Sequence, residues 1–288
     1  MKKIILKKYN LKTNKINKKI KISLLSDIHI SEIFNLKKLS IIIDKIKKEE
    51  PDYICIPGDL IDSTNVLDNN NLKKEILNFL KELSKTAKVI ISYGNHDVYH
   101  LNKSSHVETK KWTCDKRKDY YKEINKIKNV HLLDDETYID ENISFTGLTL
   151  SYKYYKETCE NKEVFCEEIK NKKIKLDKSK YNIVLCHTPV YVLEELPILK
   201  DSDLILSGHM HNGMVHPLME IIWKGNSGII TPTKKLYPKA KLTRGRVSKK
   251  RELIISGGIT KLAYSAPNFF HPFNNFYPMN MEIININK

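Results

Sequence analysis

Val89-Ile90-Ile91-Ser92-Tyr93-Gly94-Asn95-His96-Asp97 is the stretch from which the rest of the chain can be read. Its β-branched, apolar start has the composition of a buried strand. Gly94 then lets the chain turn sharply. Asn95, His96 and Asp97 place groups that bind metal, phosphate or protons at the strand's end. In an open α/β sheet, ligands bind at the carboxyl ends of the strands.

The same arrangement recurs. Ile20–Ser26 is an apolar run ending in Asp27-Ile28-His29, and Tyr53–Ile56 ends in Pro57-Gly58-Asp59. Ile183–Cys186 runs into His187, and Leu204–Leu206 into Ser207-Gly208-His209-Met210-His211. One histidine after a strand is usually structural; repeated strand endings of this kind in one chain point to a composite site. Between them, Leu36, Leu39, Ile42, Ile43 and Ile46 have helical spacing over 36–49, and Pro51 closes that helix. Leu72, Ile76, Leu77, Leu80 and Leu83 predict a second helix, and 119–127 a short third one. Strand–helix–strand units of this kind predict parallel pairing with right-handed crossovers. Residues 4–9 read as a first strand and 62–71 as a polar loop. Residues 130–133, 138–139 and 143–146 read as a meander. After His211, glycines and prolines predict loops or an irregular hairpin before closing strands at 253–255 and 281–286. No repeat or linker divides the chain, so 1–288 reads as one domain: a sandwich of two mixed sheets with helices outside.

At 41% hydrophobic residues the chain is globular rather than disordered. No apolar run reaches the roughly 18 residues of a spanning helix. The start, Met1-Lys2-Lys3-Ile4-Ile5-Leu6, has too short an apolar part for a signal peptide, which predicts a cytoplasmic protein. Cys55, Cys114, Cys159, Cys166 and Cys186 are odd in number and form no Cys-x-x-Cys pair, consistent with reduced thiols. The net charge of +16 comes almost wholly from lysine and favours anionic partners. Lys234–Arg251 is densely basic and holds three of the four arginines. Arg244 and Arg246 are the expected contacts for a second phosphate or an anionic lipid head group, with peripheral membrane attachment following from the charge. Residues 99–118, beside the site, read as a lid or a connecting loop.

The candidate ligands are Asp27, His29, Asp59, Asn95, His187, His209 and His211. They are too many for one tetrahedral zinc and suit two ions with open positions. Mixed nitrogen and oxygen donors favour Mn, Fe or Zn over Ca or Mg. Two ions about 3.5–4 Å apart can clamp the attacking and leaving oxygens of a phosphoryl displacement. Asp59 is the natural bridge, and a hydroxide between the ions is the expected nucleophile. In Asp27-Ile28-His29 and His209-Met210-His211 the ligands sit two apart, which in an extended segment puts them on one side. His96, adjacent to a ligand, points elsewhere and suits protonation of a leaving alkoxide or stabilisation of phosphate. Asp97 is the expected residue to orient it.

Asp27-Ile28-His29, Gly58-Asp59, Gly94-Asn95-His96-Asp97, His187 and Gly208-His209-Met210-His211 match, in order, the signature blocks of the calcineurin-like metallophosphoesterases, which the chain resembles. The resemblance implies a four-layer α/β/β/α sandwich with a dinuclear centre at the strand ends. It implies that Asp27, His29 and His211 hold one ion, that Asn95, His187 and His209 hold the other, and that Asp59 bridges them. It also implies that His96 is the general acid or phosphate stabiliser. The tail is similar to the bacterial branch of UDP-diacylglucosamine pyrophosphatase, through Asn212-Gly213-Met214, Arg244-Gly245 and Ile255-Ser256-Gly257-Gly258, with Met214 where that branch carries Gln. The expected activity is hydrolysis of a phosphomonoester, phosphodiester or pyrophosphate, with a nucleotide-sugar lipid among the candidates. A nuclease is the alternative enzyme suggested by the charge, although no aromatic–basic interleaving for single strands stands out. A protein-binding scaffold on the same fold would require lost ligands, and every position is filled.

Overall fold

The computed structural model describes residues 4–98, 100–101, 107–108, 115–151, 155, 167–172, 174–189, 199–215, 218, 243–248, 251–261 and 274–288. In chain order the elements begin with β1 (Ile4–Lys12), β2 (Ile20–Leu24), α1 (Lys37–Glu49), β3 (Tyr53–Pro57), α2 (Asn70–Ser84), β4 (Lys88–Ser92) and α3 (Asn95–Val98). The pair β5 (His100–Leu101) and β6 (Val107–Glu108) follows, then α4 (Asp115–Asn125), β7 (Val130–Leu133), β8 (Thr137–Asp140) and β9 (Ile143–Leu148). The last strands are β10 (Tyr181–Cys186), β11 (Leu204–Ser207), β12 (Gly245–Ser248), β13 (Glu252–Ile255) and β14 (Met279–Asn287).

They form two six-stranded mixed sheets, in the orders β1-β14-β2-β3-β4-β7 and β12-β13-β11-β10-β9-β8. In the first, β2, β3, β4 and β7 run parallel and β14 inserts antiparallel beside β2. In the second, β9, β10, β11 and β13 run parallel, with β8 and β12 antiparallel at the two edges. Alternation of side chains divides the strands between two cores. Ile22 and Leu24 of β2, Cys55 of β3 and Ile90 of β4 meet Phe145, Ile183, Leu185 and Leu206 of the second sheet. Tyr53 and Phe145 meet across the layers at a tilt, with centroids 4.7 Å apart. The opposite faces, such as Ile54, Ile56 and Ile91, pack with Leu39, Ile42 and Ile46 of α1 and with Ile76, Phe79 and Leu80 of α2. Truncating a residue such as Leu185 to alanine costs about 2–5 kcal/mol at a site of this burial.

Local chemistry fixes the helices. Asn69 caps α2, its side chain accepting from the N–H groups of Asn71 and Leu72 at 3.1 Å each. α1 ends with Glu50 in the left-handed region before Pro51. The predicted meander divides between the layers: β7 joins the first sheet beside β4, and only β8 and β9 form a hairpin in the second. Four-residue apolar runs carry no signal of which sheet they enter. The polar stretch 62–71 contains a 3₁₀ turn, Thr64–Asp68, before α2 starts. Gly245–Ser248 pairs antiparallel with Glu252–Ile255, the closing strand expected at 253–255. The loops or irregular hairpin expected between His211 and that strand fall mostly outside the described residues. Because the parallel strands of the two sheets carry their loops to a common end, Asp27, Asp59, Asn95, His187 and His209 all emerge there.

Candidate metal centre

Asp27, His29, Asp59 and His211 each offer a ligand atom within 4.8 Å of the others. A second such group, Asp59, His187 and His209, shares Asp59 with the first. Asp59 Oδ2 lies 2.9 Å from His187 Nε2 and 3.4 Å from His29 Nε2. Asp27 Oδ1 lies 3.5 Å from His211 Nε2 and 3.8 Å from His187 Nε2. Asn95 starts α3 immediately before His96, whose N–H donates to Asp59 Oδ1 at 2.9 Å.

The two-apart pairs do not share a side through an extended backbone, as the sequence predicts. Asp27, His29, Asp59, His209 and His211 all have positive φ, between 44° and 67°. Left-handed conformation at both members aims the pair while Ile28 and Met210 between them stay in the core at 0% and 1% exposure. Such residues cost about 1–3 kcal/mol each and persist only where surroundings over-determine them. Here Asp59 O accepts from Ile28 and His29 N–H, and Asp27 O accepts from Thr260 N–H. The Asp27 carboxylate also accepts from His209 N–H at 3.0 and 3.1 Å, tying the second sheet's loop to the first. The glycines are needed for closeness: a Cβ on Gly94 would overlap Asp59 Oδ1, and one on Gly208 would overlap Ser26 Oγ.

Each histidine is pinned from behind. His187 Nδ1 donates to Pro57 O at 2.7 Å, and His211 Nδ1 to Thr260 O at 2.8 Å. His209 Nε2 donates to Tyr155 O at 3.0 Å, and His29 Nδ1 lies 3.2 Å from Asp62 Oδ1. A carbonyl only accepts, so the proton sits on the outward nitrogen and the inward one keeps its lone pair for a metal. His29 Nε2, His187 Nε2, Asp59 Oδ2 and Asn95 Oδ1 are buried atoms with no hydrogen-bond partner among the described residues. Orphaned acceptors of this kind are costly unless a cation is coordinated.

The charges agree with that reading. Burial alone would push Asp27 and Asp59 up, but His211 and His187 hold Asp27 below the usual carboxylate range, and His187 and His96 hold Asp59 well below it. Burial works against a charged His187, yet the Asp59 carboxylate outweighs it and sets the group at about 9. Burial opposes His29 in the same way, and Asp62 and Asp59 raise it. Burial instead pushes His209 down to about 3 and His211 to about 4, leaving neutral donors. The upward pull on His29 and His187 comes from buried carboxylates whose charge divalent ions would neutralise in their place. The donor set fits two such ions.

Asp97 does not orient His96. Its carboxylate accepts from the N–H groups of Asp59 at 2.7 Å, Gly94 at 2.8 Å and Ile61 at 3.1 Å, fastening the two loops together. Burial and the neighbouring Asp59 push it up to about 6. The residue behind His96 is Asp62, whose backbone O accepts from His96 Nδ1 at 2.6 Å. Asp62 thereby touches both His29 and His96, whose rings meet edge-on at 4.6 Å. The sequence places Asp62 in a polar stretch, and its signal is a second carboxylate three residues after Asp59. Tyr155 and Thr260 act through backbone carbonyls and have no sequence signal.

Of the expected substrate arginines, the structure brings only Arg244 to this end. It is buried, and its Nη1 donates to Asn212 Oδ1 at 2.7 Å. Arg246 is instead engaged with Glu252 at the start of β13, its Nε donating to Oε2 at 2.7 Å. Lys234, Lys235, Lys239, Lys241, Lys249 and Lys250 lie outside the described residues, as do Cys114, Cys159, Cys166 and most of 99–114. Cys55 and Cys186 are buried free thiols. No described helix is long and apolar enough to cross a membrane.

The chain resembles metallophosphoesterases of unassigned function: one from Campylobacter jejuni at 28% identity over 79% of this chain and 53% of the relative. Another, from Helicobacter pylori, is 26% identical over 73% and 49%, and one from Aquifex aeolicus is 27% identical over 77% of both chains. The chain spans about half the length of the first two. The family model described as calcineurin-like phosphoesterase matches residues 20–213, which contain every candidate ligand, and the chain belongs to that family.

Proposed function

We propose that the protein is a metal-dependent hydrolase of phosphoester or pyrophosphate bonds. The observation that carries this reading is the pair of ligand groups sharing Asp59, whose buried carboxylate and imidazole atoms crowd within 4.8 Å of one another. Asp27, His29 and His211 would hold one divalent ion, Asn95, His187 and His209 the other, and Asp59 both; Mn, Fe or Zn suits the mixed donors. Bound there, such ions neutralise phosphoryl oxygens and make water nucleophilic at neutral pH. His96, part-exposed and held through Nδ1 by Asp62 O, presents Nε2 as the proton donor to a leaving alkoxide. Asp97 and the Pro57, Thr260 and Tyr155 carbonyls keep that constellation rigid.

The segments Arg244-Gly245 and Ile255-Ser256-Gly257-Gly258 support a nucleotide-linked lipid pyrophosphate as the substrate class, and the lysine-rich surface supports peripheral attachment to an anionic membrane. The test is metal analysis followed by a Mn²⁺ panel of aryl phosphates, cyclic nucleotides, nucleotide diphosphate sugars and lipids, and DNA. Two ions and turnover of a phosphoester or pyrophosphate are expected. Turnover confined to DNA would assign a nuclease, and absence of both metal and turnover would assign a scaffold.

A further inference from the structure

The second sheet's ligand turn is held from an unexpected direction. His211, Asn212 and Gly213 have φ of 44°, 60° and 64°, a left-handed run that few sequences adopt unaided, and His209 before Met210 has φ 67°. Three fastenings hold it. Asp27 accepts from His209 N–H at 3.0 and 3.1 Å, Thr260 O accepts from His211 Nδ1 at 2.8 Å, and Arg244 Nη1 donates to Asn212 Oδ1 at 2.7 Å.

Arg244 and Asn212 are each 1% exposed. Guanidinium only donates, so the Asn212 amide is fixed with Oδ1 toward Arg244, leaving Nδ2 without a partner among the described residues. A buried, charge-assisted hydrogen bond is a strong constraint on the residue it reaches. That residue lies between His211 and Gly213, so a change in its backbone swings the His211 ring away from both Thr260 O and Asp27. The burial that makes this hold firm also removes Arg244 from the surface that a substrate phosphate would meet.

We propose that Arg244 is a positioning residue: through Asn212 it sets the turn that aims His211, and so tunes the ion shared with Asp27 and His29, without touching substrate. The proposal rests on the two-metal reading above. It predicts an asymmetric effect, because Asn212 directly adjoins His211, whereas His187 lies on another loop and His209 is tied at its N–H by Asp27 and at its ring by Tyr155 O.

The experiment is a Co²⁺ titration of metal-free protein, followed by visible absorption, on wild type, Arg244→Met, Arg244→Lys, Asn212→Asp and Asn212→Leu. Wild type should take two ions. Arg244→Met should keep one affinity and weaken the other about 10–100-fold, the usual scale for a group behind a ligand. Asn212→Leu should reproduce that split, and Arg244→Lys should fall between. Asn212→Asp keeps an acceptor for the guanidinium and should retain both affinities, a rescue that general damage to the fold would not give. If Arg244→Met does not fold, the Asn212 pair carries the same comparison. At saturating metal, kcat on an aryl phosphate should fall with KM unchanged. Intact affinities with a raised KM would make Arg244 a substrate contact and overturn the proposal, as would equal loss of both ions. A wild type that takes no Co²⁺ would remove the two-metal reading itself, a result distinct from any failure at Arg244.

Discussion

Asp27-Ile28-His29 leaves β2 of the first sheet much as His209-Met210-His211 leaves β11 of the second. Both pairs are left-handed at each ligand, and both bury the residue between. Their chemistry is opposed. The first sheet also supplies Asp59, Asp62 and Asp97, so its end of the site is dense in buried carboxylate. The second supplies His187, His209 and His211, and of these His209 and His211 are held neutral by burial. In the proposed centre, one layer would bring the charge that attracts cations and the other the donors that complete a coordination shell. Stacking the sheets brings the two together, with the Asp27–His209 N–H bonds as the seam.

If that division is right, removing charge should cost more than removing a donor. Asp59→Asn takes away the carboxylate common to both ligand groups. Metal-stabilised charge is worth several kcal/mol, so kcat should fall by at least about 10³-fold, with both ions bound more weakly. His211→Ala should weaken chiefly one ion. Metal content and turnover of the two variants decide the matter; equal loss of both ions in His211→Ala would break the contrast between the layers.

A smaller and different loss is expected at His96, which belongs to the carboxylate layer and is proposed as the proton donor rather than as a ligand. His96→Ala should lower kcat by about 10²–10⁴ with metal content intact. Substrates with poor leaving groups should suffer most, because they depend on the proton. Equal losses across a leaving-group series would assign His96 to phosphate stabilisation instead.

Asp62→Asn separates the contacts of Asp62 with His29 and with His96. Its backbone carbonyl still accepts from His96, while the carboxylate behind His29 is lost. Metal affinity should drop about 10–100-fold, with leaving-group dependence unchanged. A flattened leaving-group series in this variant would show that the side chain, 3.9 Å from His96 Nδ1, orients the proton donor after all.

What could be read from the chain follows the same division between strand and loop. β3, β4, β10 and β11 are short, largely buried apolar runs, so composition alone located them, and their ends located the candidate ligands. The register of the sheets was hidden, since Val130–Leu133 and Ile143–Leu148 carry similar patterns yet enter different layers. The partners behind the ligands were hidden for another reason. Pro57, Tyr155 and Thr260 contribute carbonyls, which every residue has, and Asp97 turns its carboxylate to backbone N–H groups that no side-chain pattern reveals.

The smallest effect is expected at Arg246, where sequence and structure part most clearly. Its sequence context, beside Arg244 in a basic stretch, suggests a phosphate contact. In the structure Arg244 precedes Gly245, which pairs with Ile255 at the site end of β13, whereas the Arg246 side chain reaches back to Glu252 at the strand's start. The two arginines are two residues apart and serve opposite ends of the strand. Arg246 is paired at the surface, with side-chain exposures of 38% and 22% for it and Glu252. Exposed pairs of this kind contribute about 0–1 kcal/mol, and salt weakens them. Arg246→Ala should therefore leave kcat, KM and Co²⁺ affinity unchanged and lower stability by less than about 1 kcal/mol, with the difference shrinking at high salt. A KM that rises for a pyrophosphate but not for an aryl phosphate would place Arg246 at the substrate and move the boundary of the site past β12.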